Sequence, residues 1–301
     1  MAEVIPFVKD LAFHYGALEQ VAPNIRRLIA KNPSPFTHVG TGTYVVGRGK
    51  VAVIDAGPVL AEHVEALLHA LRGETIEQLL VTHTHLDHSP ASKLVAARTG
   101  AKTYGFGPHA RGRHQPEDKV EEGADWEFVP DVALADGDVV EGPGYALKAL
   151  HTPGHCSNHL CFSLEGVGTL FTGDHVMGWS TTVVVPPDGD MGDYVAQLRR
   201  VMARDDAKLW PTHGAGVEHP RALVGAMIRH REEREAQILE CLRDGVTRID
   251  AMVERMYRDV PRYLYPAAAR SVFAHLLLLV ARGQVACEGE PALEGEYRAS
   301  R

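Results

Sequence analysis

The chain is short of cysteine, of long apolar runs and of basic charge. Among its 301 residues are four cysteines, Cys156, Cys161, Cys241 and Cys287, with no CxxC spacing. That is too sparse for a disulfide framework, so reduced thiols in a cytoplasmic setting are expected. No stretch approaches the roughly 18 uninterrupted apolar residues of a membrane span, and no membrane role is expected. The N-terminus carries Glu3, Lys9 and Asp10 and lacks the basic-then-apolar layout of a signal peptide, which argues against export. Residues 1–219 hold 18 basic against 27 acidic side chains, so the main body is no electrostatic magnet for nucleic acid. Residues 220–287, with 11 basic against 8 acidic, are mildly basic. What is present is a hydrophobic content of 45%, enough for a sizeable core and, at this length, for one large and one small domain.

Strands and helices alternate along the first two thirds. The opening 35 residues, with Pro6, Pro23, Pro33 and Pro35, read as irregular structure. Gly42 to Asp55 reads as a hairpin around a Gly-Arg-Gly-Lys turn. Apolar positions 64, 67, 68 and 71 have a helical period. Residues 76–81 form a short buried strand, and Ser89-Pro90 starts a helix that Gly100 stops. Residues 105–131 read as a long loop, with a strand at 126–129. Strands follow at 145–150, 160–164, 169–172 and 207–210. Residues 177–192 form a loop before a helix at 193–202. Beyond Pro220 three helices (221–242, 249–257, 267–281) precede a strand at 284–287. The Glu- and Gly-rich end, 289–301, reads as a flexible tail.

The densest chemistry lies in Thr82-His83-Thr84-His85-Leu86-Asp87-His88, directly after the buried strand. Three imidazoles and a carboxylate within seven residues suit Zn²⁺ or a related divalent ion, with Fe or Mn as alternatives. His151 in His-Thr-Pro-Gly-His, Asp174 in Thr-Gly-Asp-His and His213 in Pro-Thr-His-Gly supply enough further ligands for two metals. On this reading His83, His85 and His151 hold one ion, Asp87, His88 and His213 the other, and Asp174 bridges them. Two ions at such a spacing lower the pKa of a shared water, giving a bridging hydroxide nucleophile, with Asp87 and Asp174 as the catalytic carboxylates. His155 and His159 have two open roles, orienting ligands or substrate, or packing their loop; His159 is read as a ligand-orienting residue. Cys156, close to His151, is weighed as a ligand-orienting or ligating thiol and set aside because the His and Asp set already fills two sites, and Trp179, Ser180 and Thr181 are read as pocket lining.

These motifs resemble those of the metallo-β-lactamase superfamily, matching in order Ile54-Asp55-Ala56-Gly57, the His83–His88 cluster, His151, Gly173-Asp174 and His213. The resemblance implies a four-layer αββα fold over residues 1–219, with the motifs at one sheet edge. It also implies that Asp55 orders the ligand loop by hydrogen bonds. Residues 220–288 resemble the winged-helix appendage of lactamase-β-2-like endoribonucleases and some acyl-carrier-protein thioesterases. The superfamily covers β-lactams, thioesters, lactones and phosphodiesters, so fold cannot choose among them. The first expectation is a phosphodiesterase acting on single-stranded RNA. The alternative is a thioesterase on acyl-glutathione, acyl-CoA or acyl-carrier substrates, and a third reading is a non-catalytic binding module. The basic module is weighed as an RNA platform, a pocket wall or a homodimer contact.

Overall fold

The computed structural model describes residues 5–109 and 123–300. Two sheets stack face to face. The first has the order β1-β2-β3-β4-β5-β6-β7 and the second β12-β11-β10-β9-β8. In the first, β1 (Glu19–Ala22), β2 (Ile25–Ile29), β3 (Gly42–Arg48) and β4 (Lys50–Ile54) pair antiparallel, while β4 runs parallel to β5 (Thr75–Leu80). The parallel run continues through β6 (Lys102–Gly105) and β7 (Val132–Ala133). In the second, β8 (Val139–Gly142), β9 (Tyr145–His151), β10 (Leu160–Leu164) and β11 (Thr169–Gly173) pair antiparallel, and β12 (Lys208–Pro211) lies parallel to β11.

Strands buried on both faces divide their apolar residues by the period of two. Tyr44, Val46, Ala52 and Ile54 point between the sheets and meet Leu147, Phe162, Phe171 and Trp210. Val45, Val51 and Val53 point outward, against Val64 and Leu67 of α1 (Ala61–Ala70) and Val95 of α2 (Ala91–Thr99). On the far side, Leu150, Cys161, Leu170 and Leu209 are covered by Tyr194, Val195 and Leu198 of α3 (Met191–Met202) and by α4 (Pro220–Arg243). The result is the expected αββα stack.

Two expectations are corrected. The opening residues are not irregular throughout: β1 and β2 form a hairpin whose turn uses Asn24 at φ 57°. In β2 the charges of Arg26 and Arg27 hid a fully buried strand. Arg26 ion-pairs with Glu74, and Arg27 donates to the Gly214 carbonyl at 3.0 Å, so both charges enter the fold with partners. Residues 126–129 are not a strand; Phe128 instead caps the end of β6, a 3.1 Å approach from a Cβ placed at Gly105. Of the long loop expected over 105–131, residues 110–122 lie outside the described residues.

The C-terminal helices share α4 with the main body. Leu223, Val224 and Met227 near its start belong to the core against the second sheet, whereas Ile238, Cys241 and Leu242 near its end belong to the module's own core. That second core adds α5 (Ile249–Met256) and α6 (Tyr265–Ala281). Residues 262–281 are apolar and long enough, by length and composition alone, to cross a membrane. Their apolarity has a local cause, since Ala274 packs into one core and Ala268, Val272, Leu276 and Leu279 into the other. The expected flexible tail is corrected as well. β14 (Tyr297–Ala299) pairs antiparallel with β13 (Val285–Cys287), completing a two-stranded wing, and Tyr297 is buried with its hydroxyl on the Ala292 carbonyl at 2.6 Å.

Candidate metal centre

The strand ends after β4, β5, β11 and β12, and the loop after β9, converge at one edge of the stack. Three groups of side chains gather there, each with its donor atoms within 4.8 Å of one another: His83, His85 and His155; Asp87, His88 and His213; and His83, His88 and Asp174. In the first group, His85 Nδ1 lies 2.9 Å from His83 Nε2 and 3.0 Å from His155 Nε2. In the second, Asp87 Oδ2 lies 3.4 Å from His88 Nε2 and 3.2 Å from His213 Nε2. Asp174 Oδ2 stands between the groups, 3.4 Å from His213, 3.6 Å from His88 and 4.0 Å from His155.

His151 is not among them, and its expected role as a ligand is corrected. β9 places Tyr145, Leu147 and Ala149 on the face between the sheets. His151, two residues on, follows the same parity and stacks on Phe106 at 3.9 Å, with its Nε2 2.9 Å from the Ser157 carbonyl oxygen. His155 takes the place in the cluster. Gly154 makes that possible: its φ is 139°, and a Cβ there would meet the Tyr194 backbone at 2.4 Å. The chain turns tightly against α3 and carries the next residue inward.

Backbone and carboxylate partners hold each ring. His155 Nδ1 donates to the Val183 carbonyl at 2.7 Å, and His213 Nδ1 donates to the Gly40 carbonyl at 3.2 Å. His88 Nδ1 donates to Asp55 Oδ2 at 2.9 Å. Asp55 also accepts from the Thr82 backbone N–H and hydroxyl, both at 2.8 Å, and from the Thr212 hydroxyl at 3.0 Å. It sits at φ 51°, a conformation uncommon outside glycine, which its four hydrogen bonds sustain. The Thr82 hydroxyl proton is spent on Asp55, so its oxygen is left to accept from His83 Nδ1 at 3.0 Å. In these four rings Nδ1 is engaged and Nε2 is turned to the cluster. Thr41, which the sequence did not single out, donates to Asp87 Oδ2 at 3.0 Å and is itself held by Asn32.

His159 lies behind the cluster. Its Nδ1 pairs with the Thr152 hydroxyl at 2.8 Å, and its Nε2 accepts from the Asp174 N–H at 3.1 Å. A Cβ at Gly173 would approach that Nε2 to 2.5 Å, so only glycine fits. Ser180 and Thr181 line a cleft beside the cluster, whereas Trp179 packs against His38 with ring centroids 4.8 Å apart.

The donor set fits divalent metal ions. Burial and then the neighbouring imidazoles hold His83 and His85 well below the usual histidine range, leaving neutral rings with lone pairs to give. His88 and His213 go the other way. Burial opposes their charge, but Asp87 and Asp174 outweigh it, lifting His88 well above its usual range and His213 to about 10. Asp87 and Asp174 are correspondingly held low by these histidines, against the effect of burial. Asp174, buried, and Asp87, half-buried, thus lie where positive charge is required, and protons on imidazole meet that need until a cation displaces them. His88 Nε2 and Asp174 Oδ1 are buried and make no hydrogen bond among the described residues. Orphaned polar atoms of this kind are costly unless they have an ion to bind.

This site lies on the fold its sequence motifs implied, and residues 38–213 match the model of the metallo-beta-lactamase superfamily. The chain belongs to that superfamily of hydrolytic metalloenzymes. Residues 249–293 match the beta-lactamase associated winged helix domain. Among its relatives are the lactamase-like protein adaB of Aspergillus niger, 30% identical over 91% of this chain and 86% of the relative. A beta-lactamase-like protein 2 homolog of Drosophila melanogaster is 29% identical over 89% of this chain and 92% of its own. An atrochrysone carboxyl ACP thioesterase of Claviceps purpurea is 29% identical over 75% of this chain and 67% of its own. The same fold recurs in a metallo-beta-lactamase family protein of Thermus thermophilus, with a TM-score of 0.74, 22% identity, and coverage of 93% of this chain and 100% of that one.

Proposed function

We propose that this protein hydrolyses acyl thioesters, using two divalent metal ions, Zn²⁺ foremost, held by His83, His85 and His155 and by Asp87, His88 and His213, with Asp174 between them. When bound, such ions supply an activated water and polarise the carbonyl under attack. Among the described residues Asp174 Oδ1 takes no hydrogen bond, which leaves it available to a metal or a proton.

The observation that carries the thioester reading is a cleft of about 520 Å³ between residues 180–185 and helices α4 and α6. Phe7, Phe36, Val183, Val184, Val185 and Leu264 line it. The Val183 carbonyl holds His155, so the apolar wall begins at the metal cluster. An acyl chain gains about 0.8 kcal/mol for each methylene buried against such a wall. A sugar–phosphate backbone gains nothing comparable. The RNA reading draws on the basic residues of the C-terminal module, and several of these are neutralised: Arg221 by Asp205, Arg255 by Asp244 and Arg282 by Glu235. The activity named for the Claviceps purpurea relative also favours a thioester. Four cysteines without disulfide partners support a reducing, cytoplasmic setting.

The test sets metal-loaded protein against a panel of acyl thioesters and a labelled single-stranded RNA. Thioester turnover that chelation abolishes is expected. Metal-dependent RNA cleavage without thioester turnover would overturn the proposal.

A further inference from the structure

The cleft is uneven in charge. Arg231 and Arg234 of α4 line it beside His230, and among the described residues no aspartate or glutamate does, in a chain whose net charge is -8. Arg231 is only 4% exposed. One of its nitrogens donates to the Thr182 carbonyl at 2.6 Å, and its guanidinium lies 5.2 Å from the centre of the Tyr194 ring. Neither partner carries a negative charge. Its remaining nitrogens make no hydrogen bond among the described residues and are not sealed from solvent, so they open on the cleft. Arg234 is similar, with its guanidinium 4.5 Å from the Tyr257 ring centre and a hydrogen bond to the neutral Gln237 at 2.8 Å. Burial, and then the charges of these two arginines, push His230 down to about 4.

A buried cation with no counter-charge is costly, and a ligand that brings the missing charge removes that cost. Thr182 connects this cation to the metal cluster. Its hydroxyl donates to the Asp174 carbonyl at 2.8 Å while its own carbonyl receives Arg231. One residue, Thr182, thus separates the Arg231 guanidinium from the Asp174 backbone.

We propose that Arg231, flanked by Arg234 and His230, binds an oxyanion group of the substrate, a carboxylate or a phosphate, and so selects charged acyl thioesters over neutral ones. This rests on the thioester reading for the name of the substrate, though not for the anion site. The guanidinium fork offers paired N–H donors that match either oxyanion.

Calorimetric binding to the metal-loaded full-length protein tests it without requiring turnover. The ligands are two pairs, 4′-phosphopantetheine with pantetheine and adipate monoamide with hexanamide. The variants are Arg231→Met and Arg234→Met, the second because Arg231 also holds the Thr182 carbonyl and its loss risks the fold. The wild type is expected to prefer the charged member of at least one pair by about tenfold or more. Both substitutions should bring that preference close to unity. A preference confined to phosphopantetheine identifies the carrier-arm phosphate, and one confined to adipate monoamide identifies a carboxylate on the acyl chain. Equal binding of charged and neutral partners overturns the proposal. So does a preference that survives both substitutions, since it then belongs to the metal centre. Arginine-dependent anion binding in a protein that hydrolyses no thioester would leave the anion site standing and the proposed function refuted.

Discussion

His151 and His155 lie four positions apart in one loop motif, yet only the second reaches the cluster. Strand parity sends His151 to the face between the sheets, and the turn at Gly154 sends His155 to the edge. A direct consequence can be measured. Elemental analysis of His155→Ala should show about one metal per chain where the parent holds about two, and His151→Ala should keep the parent's content. The opposite pattern would restore His151 as the ligand. Asp55 acts through His88, so Asp55→Ala should weaken metal retention by about 10–100-fold, read by competition with a chromogenic chelator. Unchanged retention would reduce Asp55 to a loop tie. The parity of β9 was legible in the sequence, as apolar residues at 145, 147 and 149. The inward turn was not, because it depends on how closely Gly154 passes the α3 backbone.

At the scale of elements, periodicity located most helices and central strands to within a few residues. It failed where charge masked burial or where a strand depends on a distant partner. Prolines on either side and the charges of Arg26 and Arg27 hide β2, whose burial depends on Glu74 and Gly214 receiving those charges. β14 looked frayed because its three residues become a strand only by pairing with β13. The buried Tyr297 makes the wing part of the module's core, so Tyr297→Ala should cost about 3 kcal/mol in denaturant unfolding followed by a probe in the C-terminal domain. A change under about 0.5 kcal/mol would mean that the wing is a surface flap.

At the scale of the molecule, both sheets contribute to one cluster, so an ion held there ties them together. Chelation is expected to lower the melting temperature, and re-addition of Zn²⁺ to restore it in a concentration-dependent way. An unchanged melting temperature would contradict a metal site spanning the two sheets. Acid should act through a second route. His63, buried on α1 with its Nε2 2.9 Å from the Thr43 hydroxyl, is pushed down to about 4 by burial. The unfolded side chain takes up its proton near 6.5 and the folded one only near 4. Its contribution is therefore present above pH 6.5 and is lost as pH falls towards 4, amounting to about 3 kcal/mol at most. Unfolding of His63→Gln and wild type between pH 7 and pH 4.5 should show the wild type losing more stability. Parallel loss in both would exclude His63 as a cause.

By itself the sequence determined the superfamily and most of the histidines and aspartates that the fold gathers into groups able to hold a metal, because those reside in local spacing: a strand's end, a tight loop and the residue types that bind divalent ions. Only the tertiary structure decided which histidine of the 151–159 loop completes the first group. It also decided that Asp55 holds His88, and that the C-terminal helices wall a cleft whose Arg231 and Arg234 meet no acidic partner among the described residues. Each of these depends on segments far apart in the chain meeting at a distance of a few ångströms. Composition and period carry no record of which faces meet.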